Sequence, residues 1–299
     1  MTHALVVGGA GFIGSHLVDR LLADGDAVDV VDDLSSGGLG NLSDARSVGG
    51  RLKIHHLDAA APEFSSLLGM RDIDVLYHLA AVPRGPVDAR SLASAFAMTV
   101  SILDAARTHR VPKVVVTLPA TVLYGRPASR DLPVKEQPLE PRGIRGVVAR
   151  ATVDLLDTYR EQSGIEFTAL AMSTVFGPRQ RADSGVVAAF VDAVRHRRPP
   201  RITGDGRQTR DLLFIDDAVD ALVRAATRGS GLVINIGTGD QTTLRELWAV
   251  VSGASSTEPD FVPARDDEVQ RFAVSPVRAR IHLSWSPWTT LAEGVALSR

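Results

Sequence analysis

The chain contains no cysteine, which excludes disulfide bonds, thiolate metal ligands and a cysteine nucleophile. Its eight histidines never occur with HxxxH or HExxH spacing, so we expect no metal site. No apolar run reaches the roughly 18 residues of a membrane-spanning helix, and the N-terminus is predicted to be a strand rather than a signal peptide. Together these absences predict a cytoplasmic protein that does not enter a membrane.

A surplus of either charge is also lacking. Lys and Arg number 33 against 35 Asp and Glu, a formal net charge of −2, which predicts no general attraction to nucleic acid or anionic membranes. Lysine and tyrosine are scarce, with three of each, and the residues four positions after the tyrosines are Ala81, Ala128 and Ser163. No tyrosine is therefore followed by a lysine at that spacing. With 299 residues the chain can still bury a full core, in one large domain or two interleaved ones.

The pattern that is present begins with an apolar run from Ala4 to Val7, followed at once by glycines and then by helix-periodic apolar residues. The spacing satisfies GxGxxG, counted from Gly9, and GxxGxxG, counted from Gly8. A strand, a glycine turn and a helix start in this order let backbone N–H groups approach a pyrophosphate, which the helix dipole also favours. Glycine clusters also form ordinary tight turns. The residues that end the next strand therefore have to distinguish a dinucleotide site from such a turn.

The next predicted strand, residues 27–31, ends in Asp32 and Asp33. Asp32 lies 18 positions after Gly14, near the roughly 20 expected for an acid that binds a ribose 2′-hydroxyl. A lone strand-end carboxylate would simply be solvated, but in register with the glycine turn it predicts a dinucleotide site. Two adjacent carboxylates, with no arginine after them before Arg46, favour NAD over NADP, because a 2′-phosphate would meet like charge with nothing to neutralise it.

Predicted strands and helices alternate through the first part of the chain, which indicates a parallel doubly wound sheet with right-handed crossovers. The ligand site of such a sheet lies at the carboxyl ends of its strands, where Gly8, Asp32, Asp58 and Ala80 fall. The predicted strands are residues 4–7, 27–31, 52–57, 74–79, 112–118 and 166–172, and the two long predicted helices are residues 88–109 and 147–162.

The pattern becomes less regular after Phe176. Strands at residues 212–215 and 232–236 are predicted to return to the sheet, and the tail from Thr242 onward to form a smaller helical cap. A cap built from several insertions is favoured over a second independent domain. We therefore expect a dinucleotide-binding domain of residues 1–173 and 212–240, and a cap of residues 174–211 and 241–299.

Further motifs lie along nearly the whole chain. They are GGAGFIGSHL (8–17), DDLSSG (32–37), YHLAA (77–81), YG (124–125), FGPRQ (176–180), GDGRQTRD (204–211), NIGTG (235–239) and WSP (285–287). With them the sequence resembles the extended short-chain dehydrogenase/reductase superfamily, in particular its sugar-nucleotide epimerase/dehydratase branch. The resemblance implies a Rossmann-type α/β fold, bound NAD, a smaller C-terminal cap that binds a nucleoside-diphosphate sugar, and a homodimer formed through the helices 88–109 and 147–162.

The resemblance also implies roles for individual residues. Gly11, Phe12 and Ile13 would contact the pyrophosphate, Asp32 the adenosine ribose, and Asp58 the adenine. Arginines of the cap would bind the diphosphate of the substrate, since a guanidinium is a planar, permanently charged donor suited to phosphate oxygens. The implied cofactor-binding residues are Gly8, Gly11, Phe12, Ile13, Gly14, Asp32, Asp33, Leu34, Ser35, Ser36, Asp58, Leu79, Ala80 and Ala81, and the implied substrate-binding residues are Thr174, Arg179, Arg210 and Arg265.

The catalytic part of the family pattern is missing. The family uses a tyrosine four residues before a lysine, with a serine or threonine nearby, to remove a hydroxyl proton. Aligned without a gap, this chain has Arg145 and Ala149 at those positions, and a one-residue shift gives Gly146 and Arg150. An arginine stays protonated and is a poor base, but it suits a carbonyl or carboxylate oxygen, or the nicotinamide ribose. The candidate catalytic residues are therefore Thr121, Tyr124, Arg145 and Arg150.

Two functions remain open from the sequence. The first is an NAD-dependent epimerase, dehydratase or ketoreductase that acts on a sugar nucleotide with a rearranged active site. The alternative is a non-catalytic paralogue that binds NAD or a nucleotide and acts as a partner or regulatory subunit. The intact glycine turn, the strand-end acids and the cap arginines favour the enzyme, and the missing tyrosine–lysine pair motivates the alternative.

Overall fold

Strands and helices alternate along the chain, as the sequence predicts. The computed structural model describes residues 1–82, 88–136, 138–141, 143–253, 257–264 and 268–299. The strands are β1 (His3–Val7), β2 (Ala27–Asp32), β3 (Leu52–His56), β4 (Val75–His78), β5 (Lys113–Pro119), β6 (Glu166–Met172), β7 (Thr174–Phe176), β8 (Arg201–Thr203), β9 (Thr209–Arg210), β10 (Leu212–Phe214), β11 (Leu232–Ile236), β12 (Thr242–Thr243) and β13 (Asp260–Val262).

Helices connect these strands. They are α1 (Phe12–Ala23), α2 (Ser43–Ser47), α3 (Pro62–Gly69), α4 (Ala89–Thr108), α5 (Ala120–Tyr124), α6 (Gly143–Ser163), α7 (Val186–Arg195), α8 (Ile215–Ala225), α9 (Leu244–Ser252), α10 (Val277–Leu283) and α11 (Leu291–Leu297). Within the described ranges, no helix is both long and apolar enough to cross a membrane.

The central sheet has seven parallel strands in the order β3-β2-β1-β4-β5-β6-β11. The chain runs outward in one direction from β1 to β3 and then in the other from β4 onward, so the strand order reverses between β1 and β4. In an open α/β sheet a ligand binds at this reversal, outside the carboxyl ends of the strands. The predicted doubly wound α/β fold is confirmed.

Burial on both faces explains why the central strands are continuous apolar runs. Leu5 and Val6, neighbours on β1, point to opposite faces, and both side chains are fully buried. One face packs against apolar residues of α1 and α8, such as Leu17 and Leu222. The other packs against α3, α4 and α6, for example through Phe64.

Two sequence predictions differ from the structure. The strand predicted at 212–215 does not join the central sheet: β10 pairs with β7 in a separate two-stranded sheet, and only β11 extends the main one. A three-residue apolar run does not specify its pairing partner, which explains the error. The second long helix begins at Gly143 rather than at Val147, because the polar and glycine residues of its first turn hide the start of the apolar pattern. The earlier start brings Arg145 into the helix.

Short two-stranded sheets connect the later parts of the chain. β8 pairs with β13 and β9 with β12, so residues 201–210 are joined to residues 242–262. Helices α7 and α9 pack together through an edge-to-face contact of Phe190 and Trp248, whose ring centroids lie 5.4 Å apart. The helical character predicted for the tail is therefore found in α9, α10 and α11, together with β12 and β13.

A buried carboxylate links β1, β2 and β3 on the face of the sheet that α3 covers. Asp29 of β2 lies between His3 of β1, at 2.6 Å, and His55 of β3, at 2.5 Å, with Arg71 at 3.3 Å. Burial alone would raise the pKa of Asp29, but the hydrogen bonds from His55 and His3 outweigh it and hold this pKa below the ordinary value. The ionised carboxylate therefore contributes to stability.

We expect Asp29→Asn to lower the free energy of unfolding by about 1–3 kcal/mol at neutral pH, because it removes charge-assisted hydrogen bonds from a buried group. The pKa of Asp29 is lower in the folded than in the unfolded chain, so its stabilisation is present above the unfolded value, about 3.9, and is lost as pH falls through the folded value. Urea unfolding at a series of acidic pH values should show that the difference in free energy of unfolding between the wild type and Asp29→Asn becomes smaller as the pH falls. Asp24→Asn, which changes an exposed carboxylate, should have little effect, and an advantage that is independent of pH would contradict the assignment.

Candidate functional site

A very tight turn joins β1 to α1. Gly8 has a φ of +82°, and its carbonyl oxygen accepts a hydrogen bond from the Gly11 N–H at 3.2 Å. A Cβ atom at Gly14 would lie 2.1 Å from that same oxygen, and one at Gly9 would lie 2.8 Å from a methyl group of Val30. Glycine is therefore required at Gly9 and Gly14 so that the turn and α1 can pack directly on each other and on β2.

The turn is more open at Gly11. A Cβ atom there would meet only the Gly8 carbonyl oxygen, at 3.2 Å. Gly11 is also the N-cap residue of α1, and no side chain caps the helix. Uncapped N–H groups at a helix start are donors for a phosphate. Gly11, Phe12 and Ile13, which lie at this helix start, therefore fit the pyrophosphate of a dinucleotide.

The Asp32 carboxylate lies directly beside the turn. Its Oδ2 accepts a hydrogen bond from the Ala10 N–H at 2.8 Å, and its Oδ1 accepts one from the Leu34 N–H at 2.9 Å. A carboxylate oxygen can accept more than one hydrogen bond, so Asp32 can also bind a ribose hydroxyl. Asp33 accepts hydrogen bonds from the N–H and the hydroxyl of Ser35, at 3.0 and 2.7 Å. The two acids therefore order the loop that follows β2.

That loop folds back onto the glycine turn, which the sequence did not show. A Cβ atom at Gly37 would lie 2.6 Å from the carbonyl group of Ala10. The Ala10 carbonyl oxygen accepts hydrogen bonds from the Gly38 N–H at 3.1 Å and the Asn41 side chain at 2.9 Å. The glycine pair 37–38 was the available signal for this close approach. Ser35 and Ser36 lie in the same loop.

The other predicted cofactor residues lie at the ends of neighbouring strands. Leu79, Ala80 and Ala81 follow β4, and a Cβ atom at Gly8 would lie 3.6 Å from Leu79 and 3.7 Å from Ala80. Asp58 follows β3 with an exposed side chain, whose Oδ1 accepts a hydrogen bond from the Ala60 N–H at 2.8 Å. The structure thus places all of them at the carboxyl edge of the sheet, on both sides of the strand-order reversal.

Tyr124 is part of a buried hydrogen-bond network. Its hydroxyl donates to Asn235 Oδ1 at 2.7 Å, and the Asn235 N–H donates to Glu136 at 3.2 Å. Burial, and then the charge of Glu136, raise the pKa of the Tyr124 hydroxyl. A phenol that is buried, bonded and hard to ionise is suited to a structural role. Thr121, by contrast, lies partly exposed in the first turn of α5.

Helix α6 carries both arginine candidates but gives them different surroundings. It packs closely on α5, since a Cβ atom at Gly146 would lie 3.0 Å from the Val122 carbonyl oxygen. Arg145 is half-buried in the first turn, and its Nε is buried without a hydrogen-bond partner. Burial lowers the pKa of Arg145. Arg150 is exposed and forms an ion pair with Asp154 at 3.1 Å, so Arg145 is the more enclosed of the two candidates.

The two predicted substrate arginines that the structure describes are paired with carboxylates. Arg210 lies 3.1 Å from Glu268, an acid that the sequence analysis missed, and donates to the carbonyl oxygens of Thr209 and Val269 at 2.8 Å. Burial lowers the pKa of Arg210, although Glu268 opposes this.

Arg179 lies in a different setting. It contacts Asp19 at 2.6 Å and Asp44 at 3.0 Å, so it joins the loop after β7 to α1 and α2. Thr174, in β7, donates its N–H to the Asp211 carbonyl oxygen at 2.9 Å. Arg265 lies outside the described residues. Thr174 thus contacts the residue next to Arg210, whereas Arg179 is held against α1 and α2.

A Rossmann-type dinucleotide-binding protein is defined by three features found here. They are the parallel sheet, the glycine turn at its strand-order reversal and the acid that ends β2. The model of the NAD dependent epimerase/dehydratase family matches residues 4–237, and the chain belongs to this family. The family resemblance inferred from the sequence is confirmed, and NAD is the cofactor. Its relatives are NAD-dependent enzymes, in agreement with the prediction of an enzyme.

Individual relatives match over nearly their whole length. The chain is 40% identical to a UDP-glucose 4-epimerase of Mycolicibacterium smegmatis, over 98% of this chain and 96% of the relative. The structure is similar to that of a UDP-glucose 4-epimerase from Thermotoga maritima with UDP-glucose, with a TM-score of 0.92, 30% identity, and coverage of 99% and 97%. It is also similar to a Thermus thermophilus UDP-glucose 4-epimerase in complex with NAD, with a TM-score of 0.89, 27% identity and the same coverage.

Two glycine substitutions should separate folding of the turn from cofactor binding. Gly14→Ala places a methyl group within 2.1 Å of backbone, so we expect a large loss of stability together with loss of NAD binding. Gly11 has a φ of −76°, which alanine tolerates, so Gly11→Ala should fold normally but bind NAD about tenfold or more weakly. Thermal unfolding and calorimetric NAD titration measure the two effects. Unchanged NAD affinity in Gly11→Ala would contradict the proposed contact.

Proposed function

We propose that the protein is an NAD-dependent enzyme that acts on a UDP-sugar, with an atypical active site in which Arg145 occupies the position of the family tyrosine. The observation that carries this proposal is the combination of an intact cofactor turn with a half-buried arginine at the start of α6. The relatives described as UDP-glucose 4-epimerases support a UDP-sugar as the substrate. The residues at the turn and at the end of β2 would hold the cofactor.

Arg145 can donate hydrogen bonds to a sugar oxygen but cannot accept a proton, because a guanidinium stays protonated at physiological pH. NAD, when bound, accepts a hydride or returns one. The role of Arg145 is to hold and polarise an oxygen of the sugar, in the manner of other fixed donors that stabilise developing negative charge. We infer that Tyr124 acts only through packing and its bond to Asn235, and that Arg150 remains at the surface.

The remaining features of the proposal concern the cap. We propose a dinucleotide-binding domain of residues 1–173 and 212–240, with a substrate cap of residues 174–211 and 241–299. The pairings β8 with β13 and β9 with β12 support the cap, since they join its two stretches. Arg210 is proposed to bind the substrate diphosphate by exchanging its contact with Glu268 for the phosphate oxygens. The cytoplasmic location stays a prediction from the sequence.

Turnover of a UDP-sugar panel tests the function. The protein, loaded with NAD or NADH, is incubated in deuterated water with UDP-glucose, UDP-galactose, UDP-N-acetylglucosamine or UDP-glucuronate, and the products are analysed by mass spectrometry. At least one sugar should be converted or take up deuterium. Arg145→Gln should lower kcat/KM about 10²-fold or more, whereas Tyr124→Phe should lower stability but change kcat/KM little. No product from any sugar, with NAD confirmed bound, would contradict the proposal and leave a non-catalytic binding protein.

We also propose a homodimer formed through α4 and α6. The two helices pack side by side, and α6 exposes Ile144 and Val147 to 60% and 61%. Sedimentation velocity should show a dimer for the wild type and a monomer for Val147→Glu, because burying the introduced charge opposes association. Val277→Glu, at a similarly exposed valine of α10, should remain dimeric. A monomeric wild type would contradict this part of the proposal.

A further inference from the structure

Arg179 joins two parts of the molecule that are far apart in the sequence. It lies in the loop between β7 and α7, and its guanidinium contacts Asp19 of α1 at 2.6 Å and Asp44 of α2 at 3.0 Å. In the same loop the Pro178 carbonyl oxygen accepts a hydrogen bond from the ring of His16, which belongs to α1, at 3.0 Å. The loop is therefore fastened to two helices of the cofactor end.

The backbone and the surroundings of Arg179 indicate what this contact can do. Arg179 has a φ of +64°, a left-handed conformation that is unfavourable for a residue with a Cβ atom. Such a conformation persists where the surrounding contacts require it. The side chain is 22% exposed and faces two carboxylates, whose negative charges would repel a phosphate. Arg179 is therefore suited to hold the loop in position rather than to bind the substrate diphosphate.

The contact with Asp44 depends on the loop that follows β2. This loop folds back onto the glycine turn, where the Gly38 N–H and the Asn41 side chain both donate to the Ala10 carbonyl oxygen. Helix α2 begins two residues after Asn41, so the packing of the loop determines where Asp44 lies. A cofactor bound at the turn and at Asp32 would hold this loop, and with it Asp44, in place.

On its other side Arg179 is connected to the arginine that is proposed to bind the substrate diphosphate. The Arg179 loop directly follows β7, and β7 pairs with β10. At the start of this pair the Thr174 N–H donates to the Asp211 carbonyl oxygen at 2.9 Å, and Asp211 is the residue after Arg210. Backbone pairing therefore links the position of the Arg179 loop to that of Arg210.

We infer that Arg179 is a positioning residue that couples the two ligand sites, so that NAD bound at the glycine turn raises the affinity for the UDP part of the substrate. This inference rests on the proposed function, which takes the diphosphate to bind at Arg210. Bound NAD holds the loop after β2, the loop holds Asp44, and the Asp44 carboxylate holds Arg179. Without NAD this loop is held by its protein contacts alone, and UDP has to supply part of the free energy that orders it.

Calorimetric titration of UDP into the protein, with and without saturating NAD, measures this coupling. The wild type should bind UDP about fivefold or more tightly when NAD is bound, the lower end of typical couplings between two sites. Arg179→Gln and Asp44→Asn should each bring this ratio of affinities close to one. Asp44→Glu, which keeps the carboxylate, should retain part of the coupling. Arg181→Gln, at an exposed arginine of the same loop that pairs with Asp183, should behave like the wild type.

The ratio distinguishes coupling from a purely structural role. A substitution that only loosens the loop would weaken UDP binding equally with and without NAD, and an unchanged ratio in Arg179→Gln and Asp44→Asn would overturn the inference. The Asp44 side chain is 77% exposed, so Asp44→Asn should unfold at nearly the wild-type Tm. Titration of NAD with and without UDP should give the same ratio, because coupling between two sites is reciprocal.

The same titrations separate this inference from the proposed function. If the wild type binds UDP with an affinity that does not respond to NAD, the inference is overturned while the proposed function stands. If UDP binds neither the NAD-free nor the NAD-loaded protein, the proposed function itself fails.

Discussion

The hydrogen bonds from Ala10 and Leu34 to the Asp32 carboxylate determine the geometry of the whole cofactor end. They connect the glycine turn after β1 to the loop after β2, and the two oxygens are each used once, at 2.8 and 2.9 Å. The turn in turn fixes the start of α1, because Gly14 rests directly on the Gly8 carbonyl oxygen. One acid therefore orders the turn whose amides are expected to bind the pyrophosphate, and the same acid is the one expected to bind the ribose. The contacts that fold this end of the protein are thus the ones on which cofactor binding would depend.

A second buried acid joins three distant parts of the chain. Asp211 follows β9 and accepts hydrogen bonds from the Thr238 N–H and hydroxyl at 2.8 Å, the Gly239 N–H at 3.2 Å and the Val274 N–H at 3.0 Å. Burial raises the pKa of Asp211, and these four bonds favour its charged form against that effect. Arg210 is its immediate neighbour, so the placement of a proposed phosphate ligand depends on a network that contains no catalytic group.

The parts of the fold that the sequence predicted are those determined by local chemistry. The glycine turn, the strand-end acids and the central strands follow from residue type and short spacing, and the structure has them within a few residues of the predicted bounds. Other contacts join distant parts of the chain, and no local sequence pattern shows which residues meet in them. They are the pairing of β10 with β7, the ion pair of Arg210 with Glu268, and the ion pairs of Arg179 with Asp19 and Asp44. The choice between Arg145 and Arg150 likewise required knowing which face of α6 packs on α5.

The cofactor end and the proposed reacting end are built from different chemical groups. This difference explains how the family's cofactor motif can be retained while the residues at the reacting end differ. Backbone amides and one carboxylate build the cofactor end, so most side-chain substitutions elsewhere leave it intact. The reacting end proposed at the start of α6 depends on side chains, and in that helix Ala149 is fully buried in an apolar cluster. Alanine at that position fills its space without a buried ammonium that would need a partner. In the proposed active site Arg145 is a permanent cation in the first turn of α6, and the chemistry at this end would be one that such a cation can assist.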